Sequence, residues 1–211
     1  QLEVMRDMSV VSLNTSSLPR ILILGIGNIL WADEGFGVRA VEAFHRGFEV
    51  PDNVTVLDGG TQGLYLVNFL QEHDHLLVFD AIDYGLPPGT LKRIDGDEVP
   101  KFTGAKKMSL HQTGFQEVLS AADLLGAAPQ RLTLIGCQPQ DLEDWGGALT
   151  PPVKARIADA LALACDVLGE WGVAVAPRKV PLDPAQGLLG HDIDHDSYER
   201  RADPATTTIQ G

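Results

Sequence analysis

The stretch Ile21–Arg39, ILILGIGNILWADEGFGVR, constrains this chain more than any other. Ile21–Leu24 is a short apolar run containing β-branched residues, the pattern of a strand buried on both faces. Gly25 and Gly27 then turn the chain. Val38, Val41, Phe44 and Phe48 recur at helical spacing, which predicts a first helix over residues 34–47. Two adjacent carboxylates, Asp33 and Glu34, stand in the turn where a phosphate-binding loop would carry a lysine. The turn therefore poses a choice between a nucleotide loop and a site for a cation.

The nucleotide readings fail on spacing. Leu30 occupies the third glycine position of a dinucleotide fingerprint, and the next acid at a strand end, Asp58, comes too late in the chain. No GxxxxGK[ST] run occurs, and neither HExxH nor GxSxG is present. With 211 residues, 44% hydrophobic and 21% charged, the composition fits one globular domain. The formal net charge of −13 argues against nucleic acid and against an anionic membrane surface, since both demand clustered Lys and Arg. Two cysteines, Cys137 and Cys165, make neither a disulfide framework nor a metal knuckle, as expected of a cytoplasmic protein.

Residues 1–19 are polar and mixed and read as a flexible leader without a targeting pattern. A second strand is expected at Val54–Leu57, a helix at Leu64–Leu70, and a third strand at Leu76–Phe79. An edge strand follows at Thr90–Ile94, and then a long irregular stretch that ends at His111. Phe115, Val118, Leu119, Ala122 and Leu125 mark a third helix. Leu132–Ile135 is again a strand. Thr150-Pro151-Pro152 opens a final helix, with threonine as N-cap, that buries Val153, Ile157, Leu161, Ala164 and Leu168. Val173–Val175 is either a last short strand or packing. The acidic tail 177–211 loses apolar periodicity and reads as disordered. Alternating strands and helices predict a single α/β domain over residues 20–176, with a twisted, mostly parallel sheet of about five strands and helices on both faces.

In such a sheet, ligands bind outside the carboxyl ends of the strands. That rule selects Glu34 after the first strand, Asp58 after the second and Asp80 after the third. His111, in the loop before the third helix, is placed to swing over the same end. Two carboxylates and an imidazole suit a borderline divalent metal. Glu34 at a helix N-terminus is expected to be ionised. Each residue also has a structural reading. Asp33 is expected to cap the first helix, Asp58 to anchor the Gly59-Gly60 turn, and Asp80 to cap its own turn. His73 and His75 read as surface residues, and Cys137 as a small buried side chain rather than a nucleophile paired with His111. His191, Asp192, Asp194, His195 and Asp196 read as part of a solvated tail.

The runs GIGNILWADEGFGVR, LDGGTQGLYL, FDAIDYG, PGTL and KMSLHQ, in that order over residues 20–176, resemble the [NiFe]-hydrogenase maturation endopeptidases. The fuller strings DEGFGVR, DGGTQGL, DAIDYGL and AKKMSLHQ are most similar to the subgroup serving membrane-bound uptake hydrogenases. The resemblance implies a twisted sheet flanked by helices. It also implies an enzyme that cuts a short C-terminal extension from the hydrogenase large-subunit precursor after nickel insertion. Its metal-contacting positions match Glu34, Asp80 and His111, with nickel supplied by the precursor rather than held permanently, and with Asp58 as a candidate base. The expected partner is the nickel-loaded precursor, and the expected state a monomer. Two other readings stay open from the residues: a metallochaperone or scaffold that binds the large subunit without cutting it, and a zinc-dependent peptidase.

Overall fold

The computed structural model describes residues 18–60, 62–99, 110–183 and 186–188, the side chains of 110–114 excepted. The five-stranded sheet runs β3 (Val54–Gly60), β1 (Ile21–Ile26), β4 (His75–Ala81), β6 (Arg131–Cys137), β5 (Leu91–Asp95). All neighbours are parallel except the edge strand β5, which pairs antiparallel with β6. β1 and β4 lie in the middle and are buried along their whole length. Their uninterrupted apolar runs follow from that position, because neither face meets water.

Alternation along the strands sorts the core into two layers. Ile21, Ile23, Leu77, Phe79, Ile135 and Cys137 face one side, against α1 (Phe36–Gly47), α4 (Pro151–Lys154) and α5 (Ile157–Glu170). Leu22, Leu24, Leu76, Val78 and Leu134 face the other, against α2 (Leu66–Gln71) and α3 (Leu110–Leu124). The fold is thus an α/β domain with helices on both faces of a mostly parallel sheet, as the residue pattern predicts. No helix among the described residues is long and apolar enough to cross a membrane.

Several expectations change in detail. The first helix opens as a 3-10 turn, Ala32–Gly35, and becomes α-helical only at Phe36. His111 lies in the first turn of α3 rather than in the loop before it. The final helix divides at Ala155–Arg156, and Ile157 and Leu161 are only partly buried while Val167 is fully so. Val173–Val175 is not a strand; the pairing falls just later, where β7 (Ala176–Pro177) meets β2 (Phe48–Glu49) antiparallel. Beyond residue 176 the described chain stays docked on the end of α1. The Arg178 N–H donates to the Gly47 carbonyl at 2.8 Å and its guanidinium Nε to the His45 carbonyl at 3.2 Å. The leader 1–17 and the tail from residue 189 lie outside the described residues.

Candidate active site

In the order β3-β1-β4 the chain adds β3 on one side of β1 and β4 on the other, so a switch point opens at the carboxyl ends of the parallel β1 and β4. The turn leaving β1 is built for that place. Gly27 adopts φ 136°, a conformation for which side-chain-bearing residues are poorly suited. A β-carbon there would meet the Glu34 carbonyl oxygen at 1.9 Å. The turn closes on itself, with Asn28 N–H donating to Glu34 O (3.2 Å) and Glu34 N–H to Trp31 O (2.8 Å). Ala32 carries φ 35°, a left-handed conformation that costs a non-glycine residue on the order of 1 kcal/mol.

Asp33 holds this turn in place, and it does so differently from expectation. Its carboxylate makes no helix cap; it is fully buried and accepts from chain more than a hundred residues away. Oδ2 accepts from Gln140 N–H (2.8 Å) and Asp141 N–H (2.9 Å), and Oδ1 from Thr150 N–H (2.7 Å). The Thr150 hydroxyl lies 3.0 and 2.9 Å from the two oxygens. Thr150 stands at the N-cap position of α4 but spends its hydroxyl on Asp33 rather than on the helix. The Asp33 contact fixes the 138–150 segment as a wall beside the turn. A Trp31–Trp145 bridge, with ring centroids 4.9 Å apart, and Gly146 N–H donating to Leu30 O at 2.8 Å complete it.

Glu34, next in sequence, is half-buried. Burial lifts its carboxyl to about 7, against the ionised form that a place at a helix start would favour. Asp80 ends β4 and is 1% exposed. Neither of its oxygens has a well-aligned hydrogen-bond partner among the described residues. Burial drives its pKa well above the carboxylate range, the adjacent Ala81 N–H offsets a little of this, and the charge of Glu34 raises it further. Glu34 and Asp80 are therefore brought into each other's field. A carboxylate buried with so little hydrogen bonding among the described residues holds a proton or meets a cation, and donors of this kind fit a divalent ion.

Asp58 is placed apart from this pair. Its register partner is Gly25, and the alternation of β3 sends it to the α1 face, while Asp80 leaves β4 on the face of α2 and α3. Its charged neighbours are Glu42 and Arg39, a buried ion pair at 3.0 Å on α1. Burial raises the Asp58 pKa, and the Gly60 N–H, donating at 2.9 Å, partly opposes that rise. Asp58 thus anchors the Gly59-Gly60 turn whatever else it does. The His111 side chain lies outside the described residues, and so do the tail residues His191, Asp192, Asp194, His195 and Asp196. Among the described residues no three His, Cys, Asp or Glu side chains cluster as metal ligands.

The expectation for the His73 and His75 pair shifts, while that for Cys137 as a small buried side chain holds. His73 is half-buried and His75 is buried, so neither is the solvated side chain expected. His73 bridges the Phe69 carbonyl at 2.7 Å and the Thr55 hydroxyl at 2.9 Å, and His75 is buried against the Trp171 ring, centroids 5.3 Å apart. Cys137 is fully buried, and burial pushes its thiol up to about 12, which leaves no thiolate for nucleophilic attack. A cavity of about 930 Å³ lies at the opposite end of β6, lined by Arg93, Asp95, Gln116, Arg131 and Trp171 among others, and contains none of the candidate acids.

Sequence reasoning missed Gln138. Its Oε1 accepts from Tyr84 N–H (2.7 Å) and Leu86 N–H (3.2 Å), while Nε2 donates to Asp83 Oδ1 at 3.0 Å. Its one local signal is a polar amide immediately after an apolar strand.

Comparison with known proteins now meets this geometry. The model of the hydrogenase maturation protease family matches residues 38–167, a span that includes Asp58, Asp80 and His111 and begins after Glu34. The hydrogenase expression/formation protein HupD of Bradyrhizobium diazoefficiens is 72% identical over 182 residues, 86% of this chain and 95% of that protein. The hydrogenase 2 maturation protease of Escherichia coli is 46% identical over 162 residues, 76% of this chain and 97% of that protein. Among solved structures, the hydrogenase maturating endopeptidase HybD from E. coli superposes with a TM-score of 0.71 at 44% identity, covering 75% of this chain and 98% of that one. The chain belongs to the hydrogenase maturation protease family and is an endopeptidase.

Proposed function

We propose that this endopeptidase removes the C-terminal extension of the [NiFe]-hydrogenase large-subunit precursor once nickel is in place, and that Glu34, Asp80 and His111 read the nickel the precursor carries. The observation that carries the proposal is Asp80, a buried carboxylate without a well-aligned partner among the described residues, at a sheet switch point beside an acid whose pKa stands near 7. Such a pair exchanges its protons for a divalent cation, so a metal-bearing substrate supplies the charge the site lacks.

Hydrolysis then needs water added to the scissile carbonyl carbon, its proton passed to a base, and a proton delivered to the departing amine as the C–N bond breaks. Asp58, on the edge strand and outside the metal-reading set, is the candidate base. The absence of a reactive thiol at Cys137 supports water attack over an acyl-enzyme. The protein acts as a monomer in the cytoplasm.

The test is to incubate the full chain with nickel-loaded and with nickel-free precursor and to weigh the products by mass spectrometry. Release of a C-terminal peptide from the loaded form alone is expected. Equal cleavage of both forms removes nickel from the reading. Binding without cleavage of either leaves a scaffold.

A further inference from the structure

Tyr84 follows β4 and turns back over the sheet. Its hydroxyl stands directly on Gly136, where a β-carbon would meet Oη at 2.0 Å and Cζ at 3.0 Å. Gly136 is the cross-strand register partner of Asp80. Register partners on adjacent parallel strands send their side chains to the same face, about 4.8 Å apart. The phenol oxygen thus occupies the place that a side chain at 136 would fill, next to the Asp80 carboxylate and on the face that α3 covers. The position is fixed from outside, because Gln138 grips the Tyr84 backbone at 2.7 Å and the Lys92 ammonium lies 5.1 Å from the ring centroid. Burial above all keeps this phenol protonated and therefore a donor.

We propose that Tyr84 is a positioning residue whose O–H donates to one oxygen of Asp80 and so turns the other toward the substrate. The proposal rests on the assignment of Asp80 to the site. Among the described residues neither Asp80 oxygen has a well-aligned partner in the free chain, and the bond from the phenol closes when the bound substrate engages Asp80, as hydrogen bonds at active sites commonly tighten on complex formation. A carboxylate held at one oxygen by a neutral donor presents a single oriented oxygen to a cation. Without that donor it samples both.

The experiment is steady-state processing of purified nickel-loaded precursor by the full chain, comparing wild type with Tyr84→Phe, Gly136→Ala and Asp80→Asn, with melting temperatures measured alongside. Tyr84→Phe keeps the ring and its packing. It is expected to lower kcat about 10- to 100-fold, the range of one hydrogen bond to a charged group, at unchanged KM and melting temperature. Gly136→Ala, whose β-carbon displaces the hydroxyl, should reproduce the kcat loss. Wild-type kcat in Tyr84→Phe beside an inactive Asp80→Asn overturns the role of Tyr84 alone. So does a raised KM at unchanged kcat. An active Asp80→Asn overturns the site itself.

Discussion

Replacing Asp33 by asparagine tests how the site is held together. The two carboxylate oxygens receive three backbone N–H groups and a hydroxyl in a fully buried place. Asparagine retains one acceptor oxygen and puts an NH2 group in the other position. If the amide nitrogen takes the Oδ2 place, it faces the N–H groups of Gln140 and Asp141, donor against donor. If it is flipped, it faces Thr150 N–H. Either way at least one buried donor is orphaned, at about 1–3 kcal/mol each, and a charge-assisted bond becomes an ordinary one. A loss of about 2–4 kcal/mol follows, which for a chain of this size lowers the melting temperature by roughly 10 °C. Chemical denaturation gives the free energy, and hydrogen exchange at the amides of 140, 141 and 150 gives the place. Wild-type stability together with wild-type protection of those three amides would refute the tether.

Other substitutions separate function from folding. Asp80→Asn replaces an acid that must take up a proton to be buried with a neutral amide of the same shape, so it should raise the melting temperature of the free enzyme at neutral pH while abolishing processing. A lowered melting temperature would mean that the carboxylate is satisfied in the folded chain. Glu34 binds its proton more tightly folded, near 7, than unfolded, near 4.5. Its contribution to stability is therefore complete below about 4.5 and is lost as pH rises through about 7. Glu34→Gln should flatten that part of the stability–pH curve measured by urea titration, and an unchanged curve contradicts the burial argument. Cys137→Ala should retain full processing with a stability cost of about 1 kcal/mol; an inactive variant with normal melting would restore a thiol mechanism.

What the sequence discloses and what it hides divide by distance along the chain. The unbroken apolar runs of β1 and β4 declare their central position, and the carboxyl-end rule then locates Glu34 and Asp80 without any coordinates. The face on which Asp58 emerges is harder to read, since it depends on the register of β3 with β1 and on which helix covers that side. The raised pKa of Glu34 is not legible locally, because position in the sequence suggests a helix start but not the burial that lifts the carboxyl. Asp33 looks like a cap because its actual partners, Gln140, Asp141 and Thr150, make no local pattern with it. His73 and His75 look like surface residues until Thr55 and Trp171 are brought beside them by the sheet and by the end of α5.

The Asp33–Thr150 contact also says something about when the enzyme comes into being. It spans 117 residues, so it is among the contacts for which the most chain must be ordered before any return is gained. During synthesis β1 and the acids that follow it leave the ribosome first, yet the wall they lean on cannot close until residue 150 has emerged. A partly made chain has its acids but no fixed arrangement for them. Catalytic competence is thus acquired late, in a step that a truncated or stalled product cannot reach.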